Sequence, residues 1–264
     1  MATSSRTAVA AFSVCSLMLC IVKAASTPSD QGPPLTANQV KAIILRAPSG
    51  KPPNLSGRNL SGLDLSGVSF RGANLSRANL FESILIDADL SKAQLNDANL
   101  SSARLDHANV SQASFRGATF LTTAKAADFR EADLSQTSGY LIAPEADLRA
   151  ARLRHAHLAS EMSNQPMGLL HTILAHADLT RADASFSDLS FADLTYAIFR
   201  GAILKSADFR GADLSGADFT GADVTGANFA QADLAGTIFA RIVGRSAMKG
   251  LRAARNLDQA IFRR

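Results

Sequence analysis

The chain has 264 residues, 47% of them hydrophobic, with 27 basic against 23 acidic side chains and a formal charge of +4. That near balance excludes a protein that is strongly acidic throughout. There are only two cysteines, Cys15 and Cys20, so a disulfide framework and a multi-cysteine metal site are both excluded.

Residues 1 to 25 differ in kind from the rest. Arg6 is the one early charge, Thr7 to Val22 is apolar or small, and Val22-Lys23-Ala24 offers a small-residue cleavage site. The segment reads as a secretory signal peptide ending at residue 24 or 25, with export to a bacterial periplasm as the expected location. Left uncleaved, it would be a membrane anchor, although its apolar core is short for a span. Leu19 ahead of Cys20 argues against a lipoprotein signal, and the Ser-rich start leaves a plastid transit peptide as a further reading. Cleavage would remove both cysteines and leave 25 basic against 23 acidic residues.

Residues 26 to 52 form a Pro- and Ser-rich linker followed by a helical pattern, TANQVKAIILRA, with Val40, Ile43 and Ile44 on one side and Thr36 as N-cap. A repeat array needs its ends covered, so this helix is expected to be an N-terminal cap.

From Leu55 a large apolar residue returns every five positions, neither the helical 3.6 nor the strand 2. Thirty-three centres keep this register: fourteen from Leu55 to Phe120, then Phe129 and Leu134, then Leu148, Leu153 and Leu158, then fourteen from Leu174 to Phe239. Alanine stands two places before 25 of them, and Asp or Asn commonly one place before. The residue two back and the centre point one way and the Asp or Asn points the other way, as on a strand. The two residues that follow, often Ser-Gly, Thr-Gly or Arg-Gly, are turn formers. If each turn bends the chain by a right angle, four units close a square coil of about 20 residues, and coils stack ~4.8 Å apart. About eight coils would make a rod roughly 40 Å long.

The runs ANLSRANL, ADLSGADFTGADV and ADFRGADLSG resemble the A(D/N)LXX pattern of the pentapeptide-repeat family over residues 53 to 239. The resemblance implies an all-β fold, a right-handed quadrilateral parallel β-helix, here with short helical caps. It also implies homodimers through a terminal cap, and it raises inhibition of DNA gyrase by imitation of duplex DNA. The charge balance and the export signal speak against that last role.

Between 121 and 173 the register slips. Phe120 to Phe129 is nine residues, one short of two units, Leu134 to Leu148 fourteen, one short of three, and Leu158 to Leu174 sixteen, one more than three. One solenoid with a bulge and a loop near Glu161 to Gly168 is the simpler expectation, and two solenoids joined by a linker the alternative. The tail, 241 to 264, leaves the repeat. MKGLRAARNLDQAIF is expected to form a short helix and then an extended turn, a basic C-terminal cap with seven Arg or Lys against Asp258.

Chemistry-bearing motifs are absent: no nucleophile elbow, phosphate loop, HExxH or dinucleotide fingerprint. The chain reads as a non-enzyme with no cofactor, no metal and no nucleic-acid partner. Among five histidines, His155, His171 and His176 are the ones a metal site near 159 to 176 would use. Asp193, Asp213 and Asp233, four units apart, should stack in one column. The candidate interaction surface is Phe186, Phe191 and Tyr196, each two places after a centre, with Ile198 and Ile203 in the Asp position. All five are expected to point outward around little more than one coil, as a contiguous apolar area, with cover of the neighbouring loop at 161 to 168 by Phe186 and Phe191 as the alternative. The expected function is an exported interaction or scaffold module with a protein partner.

Overall fold

A computed structural model describes residues 33–48, 50–159 and 171–263. The signal-peptide reading of 1–25, the first part of the linker and the loop at 161–168 lie outside the described residues.

The array is a four-sided parallel β-solenoid. Residues 20 apart form parallel bridges in four columns that begin at Asn54, Asn59, Asp64 and Ser69. We number the faces 1 to 4 in that order, and each corner after the face it follows. The counted five-residue centres account for about eight coils. The ladder adds the sides around Ala124, Gly139 and Ala143, and one further coil from Val243 to Arg263, so each column has ten rungs.

The five-residue period follows from one local device. The Asp or Asn carboxyl or amide oxygen accepts the backbone N–H two residues on, as in Asn54 with Ser56, Asp193 with Thr195 and Asp213 with Ser215. This Asx turn pins each bend. The third residue after the Asp or Asn is left-handed in nearly every unit, at φ near 60°, whether it is Gly, a polar residue such as Glu82 or Gln112, or an aromatic such as Phe186. The N–H of the next alanine then bonds the carbonyl of the centre, as Ala212 does with Phe209 at 3.1 Å. Leu and Phe centres fill the axis and are fully buried, and the alanines line it where only a methyl fits. Where Ser or Thr replaces that alanine, its hydroxyl bonds a backbone carbonyl: Ser83 to Leu80, Ser187 to Ala184, Thr237 to Leu214.

The disturbed middle is continuous with both flanks. Columns run 19 residues from Asn109 to Asp128 and from Asp128 to Asp147, then 31 from Asp147 to Asp178. The short steps arise where two sides fuse into a straight run. β1 (Asn99–Arg104), β2 (Thr119–Thr123) and β3 (Ser138–Ile142) form a parallel sheet across corner 2, with a bulge in β1 between Ser101 and Arg104. The sixteen residues from Leu158 to Leu174 are one five-residue side plus an eleven-residue insertion, not three units with one extra, because His157 pairs Asp188 and Ile173 pairs the next rung, Asp193.

The ends differ. α1 (Ala37–Leu45) opens with a capping box between Thr36 and Gln39. It buries Val40, while Ile43, Ile44 and Leu35 pack partly on the first coil. The tail is not a helix followed by a turn. It makes a last coil whose sides advance six residues: Val243, Lys249, Arg255 and Ile261 pair with Asp223, Asn228, Asp233 and Ile238. Single 3₁₀ turns at 245–247, 251–253 and 257–259 supply the extra residue per side. β4 (Ile238–Ala240) and β5 (Ile261–Arg263) close it.

Candidate interaction surface

Because each unit turns the chain by a quarter, outward side chains five residues apart cannot share a face. Phe186, Phe191 and Tyr196 occupy corners 1, 2 and 3 of one coil, while Ile198 lies on face 4 and Ile203 on face 1 of the next turn. The five residues therefore encircle the rod and do not form the single contiguous patch expected. Phe186, Phe191, Tyr196 and Ile203 are exposed, and Ile198 is half-buried.

All three aromatics sit in the left-handed position, at φ of 60°, 60° and 57°. That conformation crowds the Cβ of any bulky residue and costs about 1–2 kcal/mol. Part of that cost is offset along each corner. Phe186 stacks on His155 at 5.1 Å and Tyr196 on His176 at 5.0 Å. Phe191 and Tyr196 also lie over Gly211 and Gly216 of the following coil, where an added Cβ would come within 2.6 Å of each ring. Tyr196 still leaves 59% of its surface exposed.

Two of the five flank a single edge. Corner 4 carries Gly201, with Ile198 on the face before it and Ile203 on the face after it. Tyr196 and Phe186 mark the outer borders of these two faces, whereas Phe191 stands at the diagonally opposite corner. The charges beside the isoleucines are paired, Arg200 with Asp218 at 2.7 Å and Lys205 with Asp223 at 3.3 Å. Towards the N-terminus the same edge continues as a shallow groove of about 350 Å³ lined by Arg130, Glu131, Arg149, Ala150, Thr180 and Arg181. Arg130 contacts Asp128 and Asp147, and Arg149 contacts Asp147 and Asp178, so the guanidiniums lace adjacent coils together.

Carboxylates elsewhere serve the fold first. Burial pushes the Asp133 carboxyl up, but hydrogen bonds from Ser135 and the nearby Arg152 and Arg116 outweigh it and hold the group below the usual carboxylate range. Asp193, Asp213 and Asp233 do stack in one column on face 3, and among the described residues Asp193 and Asp213 have no cationic partner. His155 and His176 lie at corners 1 and 3, on opposite sides of the axis, so these two cannot converge on one ion. His171 lies just ahead of face 3, and His157 is on face 2.

The six-residue coil is the feature that reading in fives missed. Its sequence signal is the left-handed trio Gly244, Gly250 and Asn256, spaced by six.

A pentapeptide-repeats family model matches residues 54–85, 83–120, 172–211 and 212–242, more than half of the chain. No curated protein matches the sequence. Among solved structures, the chain is similar to HetL, a pentapeptide repeat protein involved in heterocyst differentiation regulation from the cyanobacterium Nostoc sp. strain PCC 7120. The identity is 29%, over 86% of this chain and 94% of that one, at a TM-score of 0.46. It is also similar to QnrB1, a plasmid-mediated fluoroquinolone resistance protein, at 19% identity over 70% and 73% of the two chains and a TM-score of 0.38. A pentapeptide repeat protein from the Arabidopsis thaliana thylakoid lumen matches at 22% identity over 65% and 68%, with a TM-score of 0.13. Asx-pinned five-residue units in four bridged columns, matched by that family model over more than half the sequence, make this chain a member of the pentapeptide-repeat family.

Proposed function

We propose that the protein is a non-enzymatic, exported binding rod whose partner, a protein, straddles the edge at Gly201. The observation that carries this reading is the pair Ile198 and Ile203. They replace Asp at the turn-pinning position on two adjoining faces, so those turns lack the side-chain acceptor that Asp supplies elsewhere. Tyr196 and Phe186 support it, since strained, exposed aromatics at the borders of those faces point to a use beyond the fold. A partner laid along the corner would cover both isoleucines and reach the arginine-lined groove beside them. Mimicry of a nucleic acid finds less support, because among the described residues outward carboxylates such as Asp133, Asp147, Asp218 and Asp223 are paired with Arg or Lys.

The test uses Ile198→Asp with Ile203→Asp. Asp is the residue the repeat normally carries, so the turns gain that acceptor and the rod keeps its fold. In-cell crosslinking from the exported fraction, read by mass spectrometry, should give a partner that this variant loses and that Phe191→Ser keeps. Identical capture by wild type and the double variant would sink the edge as the contact surface.

A further inference from the structure

The two ends of the solenoid are finished differently. At the front, Leu55, Leu60, Leu65 and Phe70 are fully buried beneath α1 and Leu35. At the back, Phe229, Leu234 and Phe239 are covered by the six-residue coil, but nothing among the described residues covers that coil in turn. Its apolar side chains Ile242, Met248, Leu251, Leu257 and Phe262 are only partly buried, and Val243 is 56% exposed. The aromatic stack Phe199–Phe219–Phe239–Phe262 runs down the axis at 4.8, 5.0 and 4.9 Å between successive rings and ends at this open face. The guanidinium of Arg245 lies 4.4 Å from the Phe262 ring centre.

Around this apolar plateau stand Arg241, Arg245, Lys249, Arg252, Arg255 and Arg263, all exposed, against Asp258 alone within the coil. Among the described residues Arg255 alone of the six has an acidic partner, Asp233 at 3.9 Å. The four sides of the coil each pair with a rung of the one coil above, so the cations form a ring at a single level. Two such ends brought together would oppose six cations to six, which disfavours a tail-to-tail copy of this chain. Stacking on the front of another copy is blocked by α1.

From the ring of charge and the flat apolar centre we infer that the last coil docks end-on against an anionic membrane surface. The cations meet lipid phosphates, while Leu257 and Phe262 reach the headgroup boundary. Docking stays shallow, because the unpaired backbone groups of the final coil must remain in the hydrated headgroup layer. This places the rod upright, with the Gly201 edge free, and it stands independently of what that edge binds.

The test is flotation of the full chain with vesicles of phosphatidylcholine alone and of phosphatidylcholine with about one third phosphatidylglycerol. Residues 1–25, with Arg6 and Lys23 beside the apolar run, are common to every variant, so the difference between wild type and a tip variant reads the tip. Anionic vesicles should bind the protein at least ~10-fold better, and the preference should fall steeply as salt is raised. Replacing Arg241, Arg245, Lys249, Arg252 and Arg263 together by Gln should abolish the preference. Replacing the exposed Arg58, Arg71, Lys92 and Arg181 by Gln should leave it intact. Circular dichroism melts establish that each variant is folded. Equal binding to both vesicle types, or a preference that survives the tip substitutions, would overturn the inference. So would full competition by polyglutamate at matched charge with no vesicle preference, which would point to an acidic polypeptide, or a concentration-dependent dimer lost in Leu257→Ser.

Discussion

Two positions in each unit decide its geometry: the Asx residue that pins the bend and the left-handed residue three places after it. Gly139 is a separate case, a glycine at the centre position of a side, inside β3. At φ 109° it lies against β2, where an added Cβ would overlap the Phe120 carbonyl. Gly62, at φ 69°, has open space around the same position. Gly62→Ala should therefore cost about 1 kcal/mol for the left-handed conformation alone. Gly139→Ala should cost at least ~3 kcal/mol, since backbone must shift as well. Urea melts of both variants measure the difference, and equal costs would mean that β2 and β3 are less closely apposed than described. The alanine position gives a second contrast. Ala212→Ser should cost less than about 1 kcal/mol, because a hydroxyl there can bond the Phe209 carbonyl as Ser83 bonds that of Leu80. Ala212→Leu should cost ~3 kcal/mol or more by overfilling the axis.

At the scale of one coil, stability rests on backbone ladders and on carboxylates that are ionised in place. Asp64, Asp133, Asp147, Asp218, Asp223 and Asp233 are all held below the usual carboxylate range. Lowered folded-state values mean that their contribution is complete above the unfolded carboxylate pKa of about 3.9, and is lost as pH falls through the folded values. The melting temperature should accordingly hold near neutrality and drop below about pH 4. Asp133→Asn keeps the turn acceptor but loses the attraction of Arg152 and Arg116. It should cost about 0.5–1 kcal/mol at neutral pH and nearly nothing once the wild-type carboxylate is protonated. Melts of the two proteins across that range check it. An undiminished difference in acid would mean that the ion pairs contribute little and that the loss is steric.

For the whole molecule, each coil touches only its neighbours, so the array behaves as a stack. Deleting residues 207–226, one complete coil, rejoins Ser206 to Ala227 with all four columns in register. The shortened chain should fold cooperatively with a urea m-value lower by about one tenth. A broad or two-step transition would refute nearest-neighbour stacking. Sequence alone determined the repeat, the four-sided coil, the buried Leu/Phe axis and the helix that covers the front. All of these depend on contacts that recur every five or twenty residues, so a periodic pattern contains them. The fusion of two sides in β2 and β3 was visible only as a slipped count, because a lost turn and an added residue look alike until the ladder is traced. The sixteen residues before Leu174 misled for the same reason. The final coil escaped because its sides advance by six, and its signal is backbone sign at Gly244, Gly250 and Asn256 rather than an apolar period. Tertiary structure alone decided which outward residues are neighbours. Phe191 is closer in sequence to Tyr196 than Phe186 is to Ile203, yet the quarter turn per unit separates the first pair. The 20-residue coil sets the second pair on adjoining rungs, and that rotation is what makes Gly201 the centre of an edge and leaves Phe262 at an open end.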